Sequence, residues 1–183
     1  MTRSQLSKDP ERAAQRAFAL RFVLIAIAMF SIYSFPYAEN GISERWFGAY
    51  LAGYARMAGA LISVFEPGVT VMQNVIAGRF SLRIIKSCDA MEVNLLFCAA
   101  VLAYPTRILG KVAAVVAGLA ALVAMNVARI CCLYYAGLLL PSWFDLLHFD
   151  LLPLLLIAAA SGLFFVWVIW IQRADRALAG SGQ

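Results

Sequence analysis

Apolar runs of near membrane-crossing length alternate along this chain with short polar breaks. The first run covers residues 17–35, has Arg21 as its only charge and is followed by Pro36, which ends a helix. A second, shorter run spans roughly 90–104 and carries Glu92 and Asn94 near its start. A third covers about 112–132, with Asn126 and Arg129 near its far end, and apolar residues continue to Pro141. The last occupies about 151–171 and is closed by Arg173 and Arg176. A helix crosses a bilayer with about 20 apolar residues. The pattern therefore predicts four transmembrane helices.

The stretch between the first two runs differs. Over 43–66, Trp46, Tyr50, Tyr54, Met57, Leu61 and Phe65 recur at spacings of three or four, and Ser43 stands where a cap would. The charges Glu44, Arg45, Arg56 and Glu66, with the aromatic weight, suit an interfacial helix. Pro67 and Gly68 break it. Residues 69–72 and 80–85 are β-rich, the second with alternation, and Gly78-Arg79 offers a turn between them. The expected fold class is an all-α membrane protein: about four transmembrane helices, an outer-face interfacial helix and a small β-hairpin.

Composition agrees. Of 183 residues, 63% are hydrophobic and 14% charged, against about 45–50% and 25% in soluble domains. A single integral membrane domain over 17–176 is expected, with a basic tail at 1–16, partly disordered, and a second tail at 177–183. The amino-terminal cations precede an apolar run as in a signal peptide, but no small-residue cleavage site follows, so the run reads as an uncleaved span. The net charge of +5 comes from cations clustered at the ends and in the loop 105–111. It marks topology rather than nucleic-acid binding. The positive-inside rule puts both termini and the Arg107/Lys111 loop in the cytoplasm, which four crossings satisfy. Residues 36–87 then lie outside with zero or two crossings. The polar hairpin favours zero, and six spans is the alternative.

Charge also singles out one cysteine. Cys98, Cys131 and Cys132 lie in or beside apolar helices, where cysteine acts as a small hydrophobe. No cysteine–histidine cluster suggests a metal, and no cofactor motif is present. Cys88 instead has Arg83 and Lys86 before it and Asp89 and Glu92 after it. The predicted topology sets Cys88 at the outer start of span two, Arg129 near the outer end of span three, and His148, the only histidine, just before span four. A nucleophile, a base and an anion stabiliser are the minimum parts for acyl transfer. Nearby cations and a helix amino terminus favour a thiolate. Histidine moves protons near neutral pH, and Asp145 or Asp150 could orient its ring. Arg129 could hold a developing oxyanion or a substrate carbonyl. Each also has an ordinary reading: a structural cysteine, an interfacial histidine, an arginine snorkelling to headgroups, a Glu92 favoured by the helix dipole.

At Cys88, the Asn126-Val-Ala-Arg129-Ile pattern and His148, in that order, the sequence resembles the exosortase/archaeosortase family of membrane-embedded cysteine transpeptidases. The resemblance covers roughly residues 20–170. The short length and the stretch 87–94 look most like the exosortase H branch. It implies cleavage of the carboxy-terminal sorting tail of secreted proteins at the outer face of the bacterial inner membrane, through a thioester acyl-enzyme that passes to an acceptor. It implies Cys88 as nucleophile, His148 as acid/base and Arg129 as transition-state stabiliser, with no cofactor. The partners implied are proteins whose tail carries a short motif, a transmembrane helix and a basic cluster. Asn126, Asp89, Glu92, Asp145 and Arg83 are the supporting candidates. Many members have glycine two residues after the cysteine, where this chain has Ala90. The competing expectation is a non-enzymatic scaffold or transporter subunit, with Arg129, Glu92 and His148 in a buried polar network among membrane lipids.

Overall fold

A computed structural model of the chain describes residues 8–34 and 42–180. After Pro10 no proline or glycine interrupts the first apolar run, and it forms helix α1, Lys8–Ser34. The expected polar tail is therefore helical from Lys8, since Arg12, Ala13, Ala14, Gln15 and Arg16 are strong helix formers. The expectations for residues 1–7 and for Pro36 lie outside the described residues, as does the capping side chain of Ser43. None of residues 12–34 is buried. The α1 stretch Arg12–Ser34 is long and apolar enough to cross a membrane.

Helix α2, Ile42–Phe65, forms where the spacing predicts one, but of the described side chains in the predicted stripe only Tyr54 is buried and Met57, Leu61 and Phe65 face outward, because the sheet packs on the neighbouring face. The helix buries Leu51, Tyr54, Ala55, Ala58 and Ile62, while Met57, Leu61, Val64 and Phe65 stay exposed. Pro67 and Gly68, the latter at φ 90°, turn the chain into the strands. Three strands form, not two: β1 (Thr70–Met72), β2 (Val75–Ala77) and β3 (Ser81–Arg83), antiparallel in that order. The predicted hairpin becomes a meander because Gln73, at φ 53°, reverses the chain once more than expected. Gly78-Arg79 does turn, but between β2 and β3. Ile76 pairs with both Val71 and Leu82, so one face of the sheet is apolar and joins the core with α2. A side chain at Gly59 of α2 would strike Val71, so glycine permits the close approach of β1.

A single 3₁₀ turn, Lys86–Cys88, then leads into helix α3, Met91–Ala103. This is the predicted second span. Its 13 residues cover only about 20 Å of a hydrocarbon core about 30 Å thick. Helix α4 is Ile108–Leu139, longer than predicted because residues 133–139 remain helical. A 3₁₀ turn at Pro141–Trp143 and a π-helical segment, Leu146–Leu151, precede helix α5, Leu152–Gly180. The tail expected from 177 is thus helical to Gly180. Among the described residues, three helical stretches are long and apolar enough to cross a membrane: Arg12–Ser34, Ile108–Leu139 and Leu146–Ala174. The protein is an all-α, membrane-type chain with a small three-stranded sheet.

The chain divides into two compact units. One holds α1, α3 from Glu92, α4 to Leu119 and α5 from Ala160. Its aromatic packing joins Phe18, Tyr104, Phe164 and Trp167, with Tyr104–Trp167 centroids 5.5 Å apart. Gln172 donates to the Tyr104 hydroxyl at 2.9 Å. The other unit holds α2, the sheet, the Cys88 turn, α4 from Ala120 and the π segment. Its core packs Tyr54, Ile62, Ile76, Leu82 and Ile84 with Val127, Ile130, Leu133 and Tyr134.

Candidate active site

Cys88 is positioned by its backbone. Asn74, in the β1–β2 turn, accepts the Ile84 amide at 2.8 Å and returns its side-chain amide to the Ile84 carbonyl at 2.7 Å. This clamp fixes the exit from β3. The Cys88 amide then donates to the Ile85 carbonyl at 2.8 Å, closing the 3₁₀ turn. The Cys88 carbonyl accepts Asn126 Nδ2 at 2.9 Å. Asn126 is fully buried on α4, where an unpaired amide would be costly.

Asp89 follows, also buried. Its Oδ1 accepts the Met91 amide at 2.8 Å, which caps α3. Its carbonyl accepts the Tyr50 hydroxyl of α2 at 3.1 Å. Tyr50 in turn lies 3.3 Å from the Tyr54 hydroxyl. Ala90 stands at φ 56°, a left-handed conformation that costs a side-chain-bearing residue about 1–2 kcal/mol. Glycine would adopt it without that cost. The departure noted at Ala90 therefore falls on a backbone position that favours glycine.

His148 lies in the π-helical segment. Its Nε2 is 3.4 Å from Cys88 Sγ, within hydrogen-bond reach of a sulfur. Phe149 stacks on the ring at 4.5 Å and Phe144 meets it edge-on at 5.6 Å. A π turn widens the helix by one residue and is frequent at functional sites. Arg129 completes the group from α4. Its Nη1 donates to Asn126 Oδ1 at 3.4 Å and its Nη2 to the His148 carbonyl at 3.3 Å. Its charge faces Cys88 and Asp89. Its Nε is buried with no partner among the described residues. Cys88, Asp89, Asn126, Arg129 and His148 are all at most 9% exposed.

Five of the nine predicted site residues thus converge: Cys88, Asp89, Asn126, Arg129 and His148. Four do not join them. Asp145 is exposed and makes no hydrogen bond to His148, although its charge reaches the ring. Asp150 is likewise exposed and is not bonded to it. Both point off the turn that buries His148. Arg83 is exposed on β3, because its neighbours Leu82 and Ile84 take the inward face. Glu92 is exposed in the first turn of α3. The sequence reading did not assign Tyr50 or Asn74 to the site. Both act through backbone carbonyls distant in sequence, and only the α2 periodicity hinted at Tyr50. Cys131 is half-buried, with Sγ 3.8 Å from the Ala58 carbonyl, which fits the packing role expected for it. Among the described residues no group of three or more His, Cys, Asp or Glu could hold a metal ion.

Compared with family models, with curated proteins and with solved structures, the chain yields no match.

Proposed function

We propose that the protein is a membrane-embedded cysteine peptidase or transpeptidase, acting on the carboxy-terminal sorting tail of secreted proteins at the outer face of the bacterial inner membrane. One observation carries this reading. A buried thiol faces an imidazole nitrogen at 3.4 Å, beside a buried guanidinium with one nitrogen unpaired among the described residues. Few structural roles require these three groups together.

The chemistry follows from the geometry. His148 Nε2 takes the thiol proton as Cys88 Sγ attacks the scissile carbonyl. The Arg129 Nε–H, without a partner among the described residues, donates to the oxyanion that develops. As the tetrahedral adduct collapses, the C–N bond breaks and His148 returns the proton to the leaving amine. The product is a thioester on Cys88. An acceptor nucleophile, deprotonated by His148, attacks it and restores the thiol. Burial of the site keeps competing water out during this interval. Asn126 and Tyr50 are positioning residues, since both hold the Cys88–Asp89 backbone.

Replacing Cys88 by Ala in cells that make a tailed substrate is the direct test. The expected outcome is accumulation of the uncleaved, tail-bearing form in the membrane. Normal processing by this variant would sink the proposal and leave the scaffold reading in its place.

A further inference from the structure

A second polar cluster lies away from the thiol, at the carboxy-terminal end of α2. Glu66 is only 7% exposed. Two donors converge on its Oε1: the Arg79 amide at 2.6 Å and the Tyr134 hydroxyl at 3.0 Å. Its Oε2 has no partner among the described residues. A side chain at Gly78 would strike both the Tyr134 hydroxyl and Glu66, so the strand turn is built closely around the carboxylate. Beside it lies an open cleft of about 600 Å³, lined by Phe65, Glu66, Pro67, Arg79 and Tyr135. Arg79 bonds Glu66 through its backbone, and its side chain is exposed. The Tyr135 ring forms one wall, with its hydroxyl enclosed and without a partner among the described residues.

We infer that this cleft binds the headgroup of an ethanolamine phospholipid. A ligand that answers both charges of the lining brings a cationic donor for the carboxylate and an anionic acceptor for the guanidinium. Phosphoethanolamine carries a primary ammonium and a phosphate across a short ethylene link. Choline cannot donate an N–H to Glu66. A serine headgroup adds a carboxylate that Glu66 repels, and a purely anionic lipid offers Glu66 no cation. The surroundings select a lipid over a soluble amine. Tyr135 lies one turn from Leu139, so the cleft sits at one end of a candidate crossing helix. Val64 and Phe65 are 73% and 80% exposed beside the cleft, and Leu139 is exposed beyond it. These side chains would contact acyl chains while the headgroup sits on Glu66. The inference does not rest on the chemistry proposed for Cys88.

The test uses full-length protein in detergent, equilibrated with equal amounts of phosphatidylethanolamine and phosphatidylcholine of the same acyl composition. Native mass spectrometry reads the lipid retained. The wild type should retain the ethanolamine lipid in preference by about tenfold, a factor within reach of one charge-assisted hydrogen bond. Glu66→Gln keeps an oxygen for the Arg79 amide and the Tyr134 hydroxyl, so it should fold, but its preference should fall to near parity. Arg79→Gln, which removes the exposed guanidinium and keeps the backbone amide that bonds Glu66, should weaken retention of both lipids. Cys88→Ala should keep the preference, which separates this outcome from the fate of the peptidase reading. Equal retention of the two lipids by wild type, or an unchanged preference in Glu66→Gln, overturns the inference. So does displacement of the lipid by soluble phosphoethanolamine at matched concentration, which would place the ligand in the aqueous phase.

Discussion

Arg129 directs two guanidinium nitrogens to protein oxygens and leaves the third without a partner among the described residues. Lysine would keep the charge but cannot reproduce this fork. Arg129→Lys should therefore fold and slow tail processing by about 10²–10³-fold, the usual cost of one lost oxyanion donor. A time course of substrate cleavage measures it, and a wild-type rate would remove Arg129 from the mechanism. Ala90 makes a second residue-scale prediction. Glycine there relieves about 1–2 kcal/mol of left-handed strain but adds about 0.4–1 kcal/mol of unfolded-state entropy. Ala90→Gly should thus be neutral to stabilising by up to about 1.6 kcal/mol. Thermal unfolding in detergent checks this, and a clear fall in Tm contradicts it. At this scale the sequence was informative about identity: Cys88, Arg129 and His148 stood out by residue type and order. It was silent on Ala90's dihedral angle, which the chain takes because the Cys88 carbonyl and the Asp89 carbonyl are both held from other helices.

Among the elements, the π-helical segment Leu146–Leu151 decides where His148 points. A regular α-helix advances about 100° per residue, so one residue more or less turns the ring off the sulfur. Deleting Leu151 should restore regular α-helix, keep the protein folded by circular dichroism, and abolish substrate cleavage. Retained cleavage would show that the π turn is not what aims His148. The strands carry a similar lesson. The sequence pattern marked 69–72 and 80–85 as extended but passed over 75–77, because three apolar residues are too few to show a period. The third strand is visible only through its pairing with both neighbours.

For the whole molecule, the open point of architecture is α3. Its 13 residues are short for a crossing. The cations Arg107 and Lys111, which follow it, carry the sign of a cytoplasmic loop. If α3 and its flanks complete a crossing, a reporter fused after Thr106 should read as cytoplasmic, and one fused after Ser142 as periplasmic. A periplasmic signal after Thr106 would make α3 re-entrant and overturn the four-crossing topology.

Apolar run length and periodicity determined by themselves that this is a helical membrane-type chain, and roughly where α1, α2, α4 and α5 lie. Burial of apolar surface is local in sequence, so a one-dimensional pattern records it. Residue type alone also named the thiol, the imidazole and the guanidinium. The tertiary structure decided which candidates meet. It brought Asp89 and Asn126 inward, left Arg83, Glu92 and Asp145 at the surface, and added Tyr50 and the Glu66 cleft. Those outcomes depend on hydrogen bonds between residues as much as 68 positions apart. No local pattern encodes such a pair, because each partner is ordinary until the fold brings the other to it.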